Sequence, residues 1–293
     1  MTSAVPANPA QPLSIAAGTS INAILKNPYL VPLEVRILLM HTLGMTRVQL
    51  ITQSERILNA DEAQRLSRLL QRRIDGEPIA YITGEREFYG LSFHVTPDVL
   101  IPRPETELLV ELALERLPQN GRLLDLGTGS GAIAIAIAHA RPDATITALD
   151  VNDAALQIAR HNAAQHGVNI ALLRSDWYGS LAHEQFDIIV ANPPYIVAGD
   201  VHLTQGDLRF EPISALTDHA DGLSALCIIV DGAKHHLSHN GWLLMEHGYD
   251  QSTAVCSLLV AQGFTAVQSW EDLAGIKRVS GAARMSKSHH PET

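Results

Sequence analysis

An apolar run that begins at Phe186, FDIIVANPPYI, stops on Asn192-Pro193-Pro194-Tyr195. Such a run reads as a buried strand, yet two prolines remove two backbone donors and stiffen the chain just beyond a polar amide. The carbonyls left there can accept hydrogen bonds from outside the chain. The chemistry this suits is the grip on a planar amino group: the Asn192 side-chain oxygen and the Pro193 carbonyl take its two N–H bonds, and the Tyr195 ring packs on its flat face. A nitrogen conjugated to a carbonyl or ring is a poor nucleophile, so alignment with an electrophile is what a protein can supply, without a strong base. Taken alone, the corner serves equally well as a rigid turn.

A second group of residues lies upstream, in LLDLGTGSGAIAIAIAHA. Gly127, Thr128, Gly129, Ser130 and Gly131 join an apolar strand to an Ala/Ile helix, where glycines let the backbone approach a ligand and the helix start offers free N–H groups. Asp150 ends the next strand, and a carboxylate there can accept both hydroxyls of a ribose. With Ala132 in the last glycine position, the loop fits a dinucleotide fingerprint. Asp125 and the additional Gly131 instead make it resemble motif I of S-adenosylmethionine-dependent methyltransferases. Asp176-Trp177 also matches that class, where an acid reads the adenine amino group and a ring stacks on the base. By itself Trp177 fits a core position as well. With these motifs upstream, the corner reads as functional.

The elements that carry these residues alternate strand and helix from Glu107 onward, the pattern of a mostly parallel sheet covered on both faces. Strands are expected at residues 122–126, 145–150, 170–174, 186–191 and 242–246, with a final pair near 266–268 and 278–282. The corner then follows the fourth strand at the carboxyl edge of the sheet, beside the glycine loop. Residues 85–106 read as a hairpin linker, with Phe88, Phe93, Val95, Val99 and Ile101 around a Gly and a Thr-Pro-Asp turn. Residues 1–84 read as a small helical bundle. Leu66, Leu69, Leu70 and Ile74 repeat at helical spacing behind an Asn59/Glu62 capping box, with Gly76 past the end. Thr52 and Glu55 offer a second box before Ile57-Leu58, and Pro28, Pro32 and Gly44 punctuate two shorter helices upstream. The catalytic unit is expected over 107–285, and 286–293 as a disordered tail.

Composition limits the partners. Among 293 residues, 21 basic side chains face 31 acidic ones for a net charge of -10. That is the wrong sign for a chain gripping a phosphate backbone, so no direct nucleic-acid contact is expected. No segment reads as a signal peptide or membrane span, and a cytoplasmic protein is expected. Cys227 and Cys256 sit in apolar helical patterns and are expected in the core. His161, His166, His235, His236, His289 and His290 form no recognisable ligand set, so they are expected at the surface and no metal site is assigned.

Four further stretches narrow the class: PIAYITGEREFYGLSF from Pro78, LIPRPETE from Leu100, QGDLRFEP from Gln205 and LLMEHG from Leu243. With Asn-Pro-Pro-Tyr they resemble the peptide chain release factor glutamine N5-methyltransferase family over nearly the whole chain. The resemblance implies a Rossmann-like S-adenosylmethionine-dependent methyltransferase sheet with a small N-terminal helical bundle. It implies that the substrate is the glutamine of the Gly-Gly-Gln loop in class I release factors. Carried over by motif, Gly127, Thr128, Gly129, Ser130, Gly131, Asp150, Trp177 and Asn192 would contact the cofactor, while Asn192, Pro193, Pro194 and Tyr195 would hold the glutamine. Arg103 and Glu105 suit either a cover over the methionine end or a structural ion pair, and residues 205–212 either a lid or packing. The alternatives are a ribosomal-protein glutamine methylase and a nucleic-acid adenine methylase, the latter disfavoured by the charge balance.

Overall fold

A computed structural model describes residues 13–27 and 31–285. The chain divides between Gly84 and Glu85 into two compact units. In the first, α1 (Ile21–Leu25), α2 (Pro32–Leu43), α3 (Arg47–Thr52), α4 (Ala60–Ile74) and α5 (Ile79–Thr83) surround a core that includes Ile24, Leu38, Leu39, Leu50, Leu66 and Leu70. Pro32 occupies the first turn of α2, where its missing N–H costs nothing, and Gly44 ends that helix at φ 62°. Asn59 and Glu62 form the expected box on α4.

The second expected box does not form. Thr46 and Gln49 make the complete reciprocal cap six residues earlier, so Thr52 falls at the last position of α3 and its hydroxyl bonds back to the Val48 carbonyl at 3.0 Å. Ile57 and Leu58 are consequently extended, bridging to Ser20 and bonding Thr19. The expectations at Pro28 and the 286–293 tail, including His289 and His290, lie outside the described residues.

The second unit opens with a hairpin, β1 (Glu85–Phe88) and β2 (Leu91–His94), closed by Tyr89 and Gly90. Both turn residues have positive φ, 52° and 75°, as the favoured two-residue hairpin turn requires. The hairpin expected as a linker belongs to this unit, since Phe88 and Phe93 are buried in its core. After α6 (Glu107–Arg116) come β3 (Arg122–Leu126), α7 (Ala132–Ala140), β4 (Thr145–Asp150), α8 (Asp153–Gln165), β5 (Ala171–Arg174), β6 (Phe186–Ala191), α9 (Ile213–Leu216), α10 (Ser224–His236), β7 (Leu237–Glu246), α11 (Ser252–Ala261), β8 (Thr265–Glu271) and β9 (Lys277–Ala283).

The seven-stranded sheet runs β5-β4-β3-β6-β7-β9-β8. Strands β3 to β7 are parallel, and β9 is antiparallel to both of its neighbours. Its central strands are apolar almost without interruption because helices bury both faces. The expected α/β class and strand positions therefore hold, with β7, β8 and β9 longer than anticipated.

Two side-chain expectations fail. Cys227 is exposed, because α10 buries Leu226, Ile229, Val230 and Ala233 and the 100° step per residue turns position 227 outward. His236 is buried, stacked on the Tyr178 ring at 4.9 Å between centroids, with Nδ1 3.0 Å from the Glu184 carbonyl. Among the described residues, no helix is long and apolar enough to cross a membrane.

Candidate active site

The strand order reverses between β3 and β6, the place where doubly wound sheets hold ligands beyond their carboxyl ends. Leu126 pairs with Ala191 in that register, so Gly127 and Asn192 leave adjacent strands at the same level. A cleft of about 270 Å3 opens there, lined by Gly127, Thr128, Gly129, Ser130, Asp150, Asp176, Trp177, Asn192, Pro193 and Pro194.

The glycine side is built largely from backbone. The N–H groups of Gly127 and Thr128 both donate to the Leu149 carbonyl at 2.9 Å, folding the loop across β4. Gly131 has φ 83°, and a Cβ there would come within 2.7 Å of Ile135 and 3.1 Å of Ala159, so only glycine lets α7 start this close to α8. Gly127 and Gly129 have open space where a Cβ would stand. Asp150 ties the loop to its own strand end: one carboxylate oxygen accepts from Gly129 N–H and the other from Asn152 N–H, each at 2.9 Å. Burial raises the Asp150 pKa, and those two N–H groups oppose the rise. Each oxygen keeps acceptor capacity for a ligand.

Asp125 lies beneath the loop, fully buried. Oδ2 accepts from the Thr128 hydroxyl at 2.6 Å, while Oδ1 has no partner. Burial pushes its carboxyl up to about 7, with the Thr128 bond opposing and the Asp150 charge adding. Trp177 takes φ 46°. Its carbonyl accepts from the Ser175 hydroxyl at 2.7 Å, and that same hydroxyl oxygen accepts from Ser180 N–H at 2.9 Å, which holds the indole at the cleft.

The corner is held by side chains from distant parts of the chain. Asn192 Nδ2 donates to Thr106 Oγ1 at 3.2 Å, and the Thr106 hydroxyl donates to Glu246 Oε2 at 2.6 Å. Tyr195 is not among the cleft-lining residues; its hydroxyl donates to Glu246 Oε1 at 3.2 Å. Burial raises the Glu246 pKa, opposed by these two hydroxyls and Arg278. Burial likewise raises Tyr195, and the Glu246 charge adds to it. Gln251 donates to the Tyr195 carbonyl at 3.0 Å and fixes the end of the corner.

Arg103 lines the cleft but pairs with the buried carboxylate of Glu211, whose other oxygen accepts from Ile101 N–H at 3.0 Å. The 205–212 segment is thereby fastened to the Ile101–Arg103 stretch, whereas Glu105 is exposed. Sequence reasoning did not assign parts to Thr106, Glu211 or Glu246. All three fall inside the motifs LIPRPETE, QGDLRFEP and LLMEHG, which were the only available signal.

A sequence profile for the methyltransferase small domain matches residues 104–207, and one for the PrmC N-terminal domain matches residues 30–84. Among solved structures, a methyltransferase from Pyrococcus furiosus aligns with a TM-score of 0.53 at 19% identity, over 75% of this chain and all (100%) of that one. A 16S rRNA methyltransferase from T. thermophilus, solved with AdoMet and guanosine, also aligns at 0.53, with 23% identity, over 68% of this chain and 49% of that one. Fold, cleft and domain match together define a methyltransferase. A release factor glutamine methyltransferase of Neisseria gonorrhoeae is 51% identical over 250 residues, 85% of this chain and 92% of that protein. Its counterpart in Burkholderia pseudomallei is 53% identical over 258 residues, 85% and 90% of the two chains. The chain belongs to the release factor glutamine methyltransferase family.

Proposed function

We propose that this enzyme transfers a methyl group from S-adenosylmethionine to the side-chain amide nitrogen, N5, of the glutamine in the Gly-Gly-Gln loop of class I release factors. The observation that carries the reading is the placement of the glycine loop and the Asn192–Pro194 corner on adjacent strands, facing one cleft. The cleft suits the cofactor. Gly127 and Gly129 leave room for close approach, Asp150 retains acceptor capacity for ribose hydroxyls, and Asp176 and Trp177 offer an acid and a ring for adenine. When bound, the cofactor supplies an electrophilic methyl on a cationic sulfonium.

The chain's own work is to bind and orient. Asn192 Oδ1 and the Pro193 carbonyl accept the two N–H groups of the glutamine amide and aim its nitrogen, so alignment provides the rate acceleration. The prolines keep competing backbone donors away from that corner. Tyr195 braces the corner through Glu246. The first unit, with Leu33, Val48 and Ile51 exposed, docks the release factor and delivers its flexible loop. Acidic net charge accords with a protein partner, and the setting is the cytoplasm, where translation ends.

Incubation of purified release factor with labelled S-adenosylmethionine, followed by peptide mass spectrometry, tests this. One added methyl on the Gly-Gly-Gln peptide is expected; label on ribosomal RNA or on a ribosomal protein instead would replace the reading.

A further inference from the structure

An asparagine amide is nearly symmetric in shape. Rotated by half a turn it fills the same volume, but presents N–H where it had presented oxygen. Packing alone therefore cannot decide what Asn192 shows to the cleft, and the choice matters. If Asn192 Oδ1 is to accept from the glutamine nitrogen, the reading on which this inference rests, a reversed amide would set donor against donor.

The decision lies in a chain of hydroxyls behind the corner. Glu246 is 2% exposed and Thr106 4%. Two hydroxyls, those of Thr106 and Tyr195, donate to the carboxylate, one to each oxygen, an arrangement that suits a group acting as acceptor only. A threonine hydroxyl has a single proton, and that of Thr106 is committed to Glu246 at 2.6 Å. Its oxygen can therefore only accept from the Asn192 amide, 3.2 Å away. Asn192 must meet it with the NH2 group, which turns Oδ1 the other way. The donor sequence Asn192 to Thr106 to Glu246 runs in one direction, and the carboxyl group that accepts from both hydroxyls sets that direction.

We propose that Thr106 and Glu246 are positioning residues that lock the Asn192 amide with its oxygen toward the substrate nitrogen. Neither touches the reacting atoms; they act through Asn192. The pair joins positions 140 residues apart, so the lock exists only once β7 and the segment before α6 are in place.

Thr106→Val keeps the shape of the side chain and removes the hydroxyl. It is expected to lower kcat on whole release factor about ten- to a hundred-fold. The Kd for S-adenosylmethionine and the KM for release factor should stay within about threefold of wild type, because Thr106 lines the cleft and valine keeps the shape it presents there. Thr106→Ser, which keeps the hydroxyl, should retain kcat within a few-fold. If Thr106→Val does not fold, Thr106→Ser and Thr106→Ala, which differ only in the hydroxyl, carry the same comparison. A double-mutant cycle separates positioning from general support. Adding Thr106→Val to Asn192→Ala should cost nothing further, since there is no amide left to orient. Wild-type kcat in Thr106→Val, equal losses in the Ser and Ala variants, or additive losses in the cycle would each overturn the proposal. Wild-type turnover in Asn192→Ala alone would instead overturn the underlying reading of Asn192, so the two failures are distinguishable.

Discussion

The two walls of the cleft are made by opposite means. On the glycine side, contacts are local and mostly backbone: Gly127 and Thr128 reach Leu149, and Asp150 reaches back to Gly129. On the corner side, Asn192 is held by Thr106, 86 residues away along the chain, and Thr106 in turn by Glu246, 140 residues from it. A wall of backbone offers shape and fixed N–H groups to a ligand. A wall of linked side chains offers orientation, and one changed atom can undo it. On the proposed function, cofactor binding falls to the first wall and alignment of the nucleophile to the second.

The largest expected effect tests the second wall. Asn192→Ala should lower kcat about a thousand-fold, roughly 4 kcal/mol of transition-state stabilisation, with the Kd for S-adenosylmethionine nearly unchanged. Single-turnover kinetics beside calorimetry reads both. A matching loss of cofactor affinity would dissolve the division between the walls.

Next in size is the cost built into the first wall. Asp125 is buried with one oxygen unpartnered, and its pKa stands near 7 in the fold against 3.8 ordinarily. The folded state thus holds a proton that the unfolded chain releases. This group's contribution to stability is intact below about 3.8 and declines as pH rises through about 7. Asp125→Asn stays neutral throughout, so it should be more stable than wild type by roughly 3–4 kcal/mol at pH 8, with the gap closing toward pH 4. Denaturant unfolding of the two proteins at both pH values checks this; a gap independent of pH would remove Asp125 as the source.

The smallest effect sharpens the comparison from the other direction. Asp150→Ala should weaken S-adenosylmethionine binding by about 1.5–3 kcal/mol, the worth of hydrogen bonds to a charged acceptor. At saturating cofactor its kcat should remain close to wild type. An unchanged Kd in a folded variant would take the ribose contact away from Asp150.

The walls also differ in how far they can be read in advance. Gly127, Gly129, Gly131 and Asp150 stand within one strand-loop-helix-strand unit, so their spacing already implies a common place in space. Asn192-Pro193-Pro194 by itself reads equally as a rigid turn, and the glycine loop and Asp150 upstream are what mark it as functional. Thr106, Glu211 and Glu246 carry no such local mark. A threonine before a helix reads as a cap, and a glutamate at a strand end reads as a surface charge. Thr52 and Glu55 gave the opposite error: a sound local pattern lost to the better cap at Thr46 and Gln49. Cys227 and His236 exchanged their expected surroundings because an apolar helix pattern does not show which of its edges meets solvent.

Sequence alone therefore determined the order of strands and helices, the glycine loop, the carboxylate after the second strand of the sheet and the proline corner, each set by backbone rules that act over a few residues. Only the tertiary structure decided that Glu211 fastens Arg103 and that Glu246 stands behind Thr106 and Tyr195. Those contacts join residues about 50 to 140 positions apart. No local preference encodes them, and burial of the sheet between its helices brings them together.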